Sequence, residues 1–111
     1  MNFKFPRGDD QVIGLEFTEN GVPINITNWK VYFTLKKNKS DSDDDAVIKK
    51  DITDHTEPLN GMTQISLTNS ETDSLNGIYY YDIQYKDNSA NIKTALWGII
   101  NFFEDITRRK T

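Results

Sequence analysis

Three short stretches carry residue types that could do chemistry. The first is "TDHTEP", which holds His55, the single histidine of the chain, between acids. A Ser–His–Asp relay needs a nucleophile held against the ring, and no G-x-S-x-G elbow is present to supply one. His55 therefore reads as a solvated loop residue. The second is "SDSDDDA" at 40 to 46, where Asp41, Asp43 and Asp45 alternate as hard oxygen ligands for calcium would. It lacks the glycine and the distal glutamate of an EF-hand loop, and a solvated acidic loop accounts for it better. The third is Arg7-Gly8-Asp9 in "PRGDD", a tripeptide that cell-surface receptors read. An adhesion signal needs the tip of an exposed loop. Here a strand begins within a few residues, and Gly8 with Asp9 and Asp10 suits a turn between "NFKF" and "VIGLEF".

No other catalytic set emerges. There is no P-loop, dinucleotide fingerprint, H-E-x-x-H or zinc spacing. Paired carboxylates could hydrolyse a glycoside, but nothing singles out two of the 17 acids. The expectation is a protein that is not an enzyme and uses no cofactor and no metal.

Composition narrows the partners. The net charge is −4, and the Lys and Arg residues are scattered except at Arg108, Arg109 and Lys110, so nucleic acid is not an expected partner. The N-terminal residues have no apolar h-region, and "ALWGII" is too short to span a bilayer, so neither a secretory signal nor a membrane is expected. The absence of cysteine suits synthesis in a reducing cytoplasm. With 111 residues and 36% apolar content, the chain reads as one domain with a thin core, reinforced by six Phe, five Tyr and two Trp.

The elements that must position these residues alternate with a period of two. In "VIGLEFT", Ile13, Leu15 and Phe17 face one way. In "NWKVYFTLKK", Trp29, Val31, Phe33 and Leu35 face the core, with Lys30, Tyr32, Thr34 and Lys36 on the other side. "TENGVPI" reads as a turn, since Gly21 accepts positive φ and Pro23 excludes a central strand. "VIKKDIT" reads as an edge strand because Lys49 and Lys50 interrupt it. In "MTQISLT", Met62 or Thr63 leads to Ile65 and Leu67 inside. "NSETDSLNG" reads as one helical turn that Ser70 caps and Gly77 stops. Then come the strands "IYYYDIQYK" and "IKTALWGIINFFEDI", the second with Gly98 where a bulge or bend is expected. Six to eight short strands at intervals of about ten residues predict one all-β domain over 1–111, a β-sandwich or barrel.

Two strands hold more apolar material than one wet face explains. With Tyr79, Tyr81, Ile83 and Tyr85 inside, Ile78 and Tyr80 lie outside; with Leu96, Ile100 and Phe102 inside, Trp97, Ile99 and Phe103 lie outside. Tyr32 is outward on its own strand. Either loops or tails cover these residues, or they are scattered singly, or Tyr32, Ile78, Tyr80, Trp97, Ile99 and Phe103 form a protein–protein contact.

The whole series resembles a known pattern. "RGDD", "GVPINITNW" (Gly21, Pro23, Ile24, Ile26, Thr27, Trp29), "GIYYYDI" (Gly77, Tyr79, Tyr81, Asp82, Ile83) and "GIINFFEDITR" (Gly98, Ile100, Phe102, Asp105, Ile106, Thr107, Arg108) follow in order over nearly the full chain. This is similar to the immunoglobulin-like N-terminal domain of the phage baseplate upper protein family and related small virion proteins of phages and prophages. The resemblance implies a non-catalytic virion subunit of the tail, baseplate, neck or capsid, made in the bacterial host cytoplasm. It implies docking to other virion proteins or to copies of itself. In that family the domain opens a longer chain. A carbohydrate- or host-surface-binding sandwich is the alternative, with Tyr80 and Trp97 stacking on sugar rings.

Overall fold

Alternating side chains build this molecule strand by strand. The computed structural model describes residues 1–103; the basic tip at Arg108, Arg109 and Lys110 and the motif positions Asp105, Ile106, Thr107 and Arg108 lie outside the described residues. The strands are β1 (Phe3–Pro6), β2 (Gln11–Glu16), β3 (Thr18–Glu19), β4 (Val22–Pro23), β5 (Lys30–Lys36), β6 (Ile48–Ile52), β7 (Met62–Leu67), β8 (Gly77–Lys86) and β9 (Ile92–Phe103). A helical turn, α1 (Asn69–Thr72), follows β7.

The main sheet has the order β1-β9-β8-β5-β6, and β2 pairs with β7 in a second, two-stranded layer. All pairings are antiparallel except the edge pair β1 and β9, which is parallel. On β5, Val31, Phe33 and Leu35 are fully buried, while Tyr32, Thr34 and Lys36 between them are partly exposed. Tyr79, Tyr81 and Ile83 on β8 and Ile100 and Phe102 on β9 join them from the same face. The facing layer supplies Ile13 from β2 and Ile65 and Leu67 from β7. Each such side chain contributes roughly 1.5–3 kcal/mol by leaving water. The result is an all-β sandwich of one broad and one narrow layer around a single core cluster. At one end Trp29 stacks on Tyr85 at 5.0 Å, and Phe17 packs edge-on against both.

The edges follow their sequences. β6 ends the main sheet on one side, and its Lys49 and Lys50 interrupt the apolar pattern where another chain could otherwise add a strand.

Two local expectations are sharpened and two are corrected. The turn expected in "TENGVPI" is a short hairpin, β3 with β4, whose Asn20 and Gly21 have φ of 53° and 80°, both positive as a type I′ turn requires. Met62 does not lead the inner set of β7; Thr63 does, with Met62 only partly buried. The helical turn is capped by Thr68 and not by Ser70. The Thr68 hydroxyl accepts from the Glu71 amide and the Glu71 carboxylate accepts from the Thr68 amide, a reciprocal capping box. The β-bulge on β9 is not at Gly98. The register slips where Ile83 faces Leu96 and Gln84 faces Thr94, which leaves Ala95 as the extra residue.

Gly98 has a different reason. A Cβ there would run into the Met1 carbonyl, and would lie 2.8 Å from the Asn2 side-chain oxygen. The first two residues therefore pass close over β9. They are fastened there by the Met1 ammonium donating to the Trp97 carbonyl at 2.9 Å, the Tyr81 hydroxyl donating to the Met1 carbonyl at 2.5 Å, and the Ile99 amide donating to Asn2 Oδ1 at 3.1 Å.

Candidate functional site

The outward face of the main sheet is built by register. β5, β8 and β9 are neighbours, so their outward side chains share one surface. Across β8 and β9, Ile78 faces Asn101, Tyr80 faces Ile99, and Asp82 faces Trp97. Across β5 and β8, Lys36 faces Tyr80, Thr34 faces Asp82, and Tyr32 faces Gln84. Ile78, Tyr80, Ile99 and Trp97 thus form a contiguous group. Trp97 is 68% exposed and Ile78 49% exposed, whereas Tyr80 and Ile99 are half-buried. Phe103 lies at the end of β9 beside Pro6, with the Lys4 ammonium over its ring at 5.4 Å. Tyr32 stands apart: Gln84 and Asp51 flank it, and the row of Thr34 and Asp82 separates it from the aromatic group. Five of the six expected contact residues lie on or around β8 and β9; Tyr32 is outward but separate.

A concavity of about 260 Å³ opens in this face between Trp97 and Tyr80, lined also by Thr34, Lys36, Lys39 and Asp82. Burial pushes the Asp82 carboxyl above its usual range; Lys36 opposes that shift and Asp43 reinforces it. The Lys36 ammonium is held 2.8 Å from the Asp43 carboxylate, and the Lys39 ammonium lies over the Tyr80 ring at 5.1 Å. Asp82 itself accepts no hydrogen bond and makes no ion pair among the described residues.

The other candidate stretches resolve into structural parts. His55 is not a solvated loop residue. It is half-buried, and its ring bridges the Trp29 carbonyl through Nε2 at 2.8 Å and the Thr63 hydroxyl through Nδ1 at 2.9 Å. A carbonyl can only accept, so Nε2 carries the proton, and in the neutral ring Nδ1 accepts from Thr63. Thr63 is 2% exposed, so its hydroxyl presents no nucleophile to a substrate. Sequence reasoning missed this clamp because neither partner is a neighbour of "TDHTEP" in the chain.

The acidic stretch does not converge on a cation. Asp41 accepts from the Asn38 amide, Asp43 pairs with Lys36, and Asp45 accepts from the Ser42 hydroxyl. The hydrogen bond from Lys36 holds the Asp43 carboxyl below its usual range. Among the described residues no group of three or more potential metal ligands comes together.

Arg7, Gly8 and Asp9 form the turn between β1 and β2, as the sequence predicts. Gly8 has a φ of 80°, which favours glycine. The hydroxyl of Thr72, fully buried on α1, accepts from the Gly8 amide at 2.9 Å and donates to the Asp9 carbonyl at 3.0 Å. Asp10 accepts from the Asn69 amide at 2.6 Å. The turn is fastened to the helix at the successive residues Gly8 and Asp9, the reverse of a free-standing loop tip.

The fold and this surface define the class: an all-β sandwich with an aromatic outward sheet face. The solved N-terminal domain of phage TP901-1 ORF48 has a similar fold, with a TM-score of 0.54 and 11% sequence identity over 93% of this chain and 83% of that one. No family model matches the sequence, and no curated protein matches it.

Proposed function

We propose that the protein is a non-enzymatic structural subunit of a bacteriophage virion. Its immunoglobulin-like sandwich docks to neighbouring virion proteins through the outward face of β8 and β9. The observation that carries the phage reading is the fold likeness to the N-terminal domain of phage TP901-1 ORF48 across 93% of the chain. The ordered resemblance from "RGDD" to "DITR" points to the same kind of protein without using the fold. The docking reading rests on Ile78, Tyr80, Ile99 and Trp97 lying side by side on one sheet face, with Trp97 and Ile78 exposed among the described residues. Aromatic residues of this kind dominate the energetics of protein contacts.

The non-enzymatic reading is supported by the fate of the candidate chemistry. His55 has both ring nitrogens occupied, Thr63 is buried, and the aspartates of the acidic loop each have their own partner.

A saccharide-binding module is the competing reading, favoured by Tyr80 and Trp97 flanking a polar concavity. Against it, the Lys39 ammonium lies over the half-buried Tyr80 ring at 5.1 Å, which leaves Trp97 as the open stacking surface of the pair. Mass spectrometry of phage particles purified from the strain that encodes the protein tests the proposal. The protein is expected at a fixed ratio to the major virion proteins through successive density gradients. Loss of the protein from infectious particles during purification contradicts it.

A further inference from the structure

The concavity between Trp97 and Tyr80 has a chemical preference that can be read from what is already paired around it. Among the described residues three aromatic rings each carry an ammonium group: Lys4 over Phe103 at 5.4 Å, Lys37 over Tyr79 at 4.6 Å, and Lys39 over Tyr80 at 5.1 Å. Trp97 is the aromatic side chain best suited to a cation, and it is the most exposed large apolar residue of the sheet face. No cation of the described residues lies over it.

The acids show the same asymmetry. Among the described residues five carboxylates are half-buried: Asp9, Asp41, Glu71, Asp82 and Asp87. Asp41 accepts from Asn38, Glu71 from Lys50 and Thr68, Asp87 from Ser89 and Asn91, and Asp9 also interacts with neighbours. Asp82 alone has neither a donor nor a counter-ion in contact. It stands directly opposite Trp97 in the β8–β9 register, and both line the same concavity. The nearby lysines do not serve it, since Lys36 is turned to Asp43 at 2.8 Å and Lys39 lies on Tyr80.

We propose that Trp97 and Asp82 form a receptor for an arginine side chain of a partner protein, with the guanidinium lying on the indole and its N–H groups directed at the carboxylate. This rests on the docking reading given above and names the partner's contribution. Arginine is selected over lysine because a planar guanidinium stacks on an indole and offers two parallel donors to a carboxylate at once. An ammonium is a point charge that cannot do both as well. The Asp82 carboxylate oxygens meet solvent, so an arriving guanidinium replaces water at them and adds the charge and the stacking partner that the described residues do not supply.

The test is titration of ¹⁵N-labelled protein by NMR, following the indole N–H signals. Trp29, stacked on Tyr85 at the end of the sandwich, serves as an internal control. N-acetyl-arginine methylamide should shift the Trp97 signal in a saturable way. The lysine analogue should act more weakly, the glutamine analogue and methyl glucoside not at all, and the Trp29 signal should stay in place. Asp82→Asn should weaken the arginine response about tenfold. Trp97→Leu, followed at the Gly98 amide, should abolish it. A Trp97 signal that ignores the arginine probe overturns the proposal. So does one that moves equally with methyl glucoside and keeps doing so in Asp82→Asn, which would establish a sugar site instead. The two readings fail separately: a protein present in particles that ignores arginine loses the receptor and keeps the docking role, and an arginine binder absent from particles does the reverse.

Discussion

Asp82 and Trp97 face each other across β8 and β9 on the outward side of the sheet, an acid without a donor and an indole without a cation among the described residues. A buried core would exclude the first and cover the second. Their juxtaposition has a stability consequence independent of any partner. Burial raises the Asp82 carboxyl above its ordinary value of 3.8. The folded chain therefore holds a proton at Asp82 more tightly than the unfolded chain, and Asp82 costs stability as the pH rises above 3.8, fully so beyond its raised value.

Asp82→Asn is accordingly expected to raise the melting temperature at neutral pH. The advantage should shrink as the pH falls through the raised value and vanish below 3.8, where both states of the wild type are protonated. Thermal melts of both proteins across that range check this. A variant less stable at neutral pH would mean that Asp82 holds a favourable interaction within the fold.

Glu71 should behave in the opposite sense. Burial alone would raise its carboxyl, but the hydrogen bonds from the Lys50 ammonium and from the Thr68 amide and hydroxyl outweigh that and hold it below its ordinary 4.5. Its contribution is complete above 4.5 and is lost as the pH falls through the lower native value. Glu71→Gln should cost about 0.5–1 kcal/mol at neutral pH, in line with a partly exposed ion pair, and nothing in strong acid. Urea unfolding at two pH values measures the difference, and an equal cost at both would remove the charge from the account.

The turn at Arg7, Gly8 and Asp9 is a stability element, and its test is Thr72→Val. The substitution keeps the shape and removes the hydroxyl that serves the Gly8 amide and the Asp9 carbonyl. Losing both hydrogen bonds of this buried hydroxyl should cost about 1–3 kcal/mol. Gly8→Val should be at least as damaging, because it forces a branched side chain to a φ of 80°. Asp9→Glu should leave fold and assembly intact. If it removed host attachment from a folded, assembled protein, the adhesion reading would return.

His55→Ala separates a clamp from a solvated loop residue. Loss of the bridge between the Trp29 carbonyl and the Thr63 hydroxyl should lower stability by about 1–3 kcal/mol. A loop histidine exposed to water would cost no more than about 0.5 kcal/mol. Denaturant midpoints distinguish the two.

What could be read from the chain in advance was whatever depends on neighbours in sequence. Alternation in "NWKVYFTLKK" placed Val31, Phe33 and Leu35 inside, and the paired lysines at 49 and 50 marked an edge. The opening turn at Gly8 was legible because its conformational demand is local. The surplus of apolar residues on β8 and β9 exposed the outward patch for the same reason. What escaped depends on long-range register. His55 meets Trp29 and Thr63 only after the sandwich closes, and Gly98 is a glycine because Met1 crosses it from the other end of the described chain. Tyr32 had the outward phase but not the row, since phase is a property of one strand and the row depends on how three strands align. Asp82 looked like one letter of a motif until the pairing of β8 with β9 set it against Trp97.

The central claim is that the outward face of β8 and β9 fastens this protein into a phage particle. Its most direct test is incorporation of the Trp97→Ser/Phe103→Ser variant, co-expressed with the wild type and counted by mass spectrometry in purified particles. The account predicts a variant that melts as cooperatively as the wild type in isolation and is missing from the particles. Incorporation of the folded variant at the wild-type ratio would contradict it.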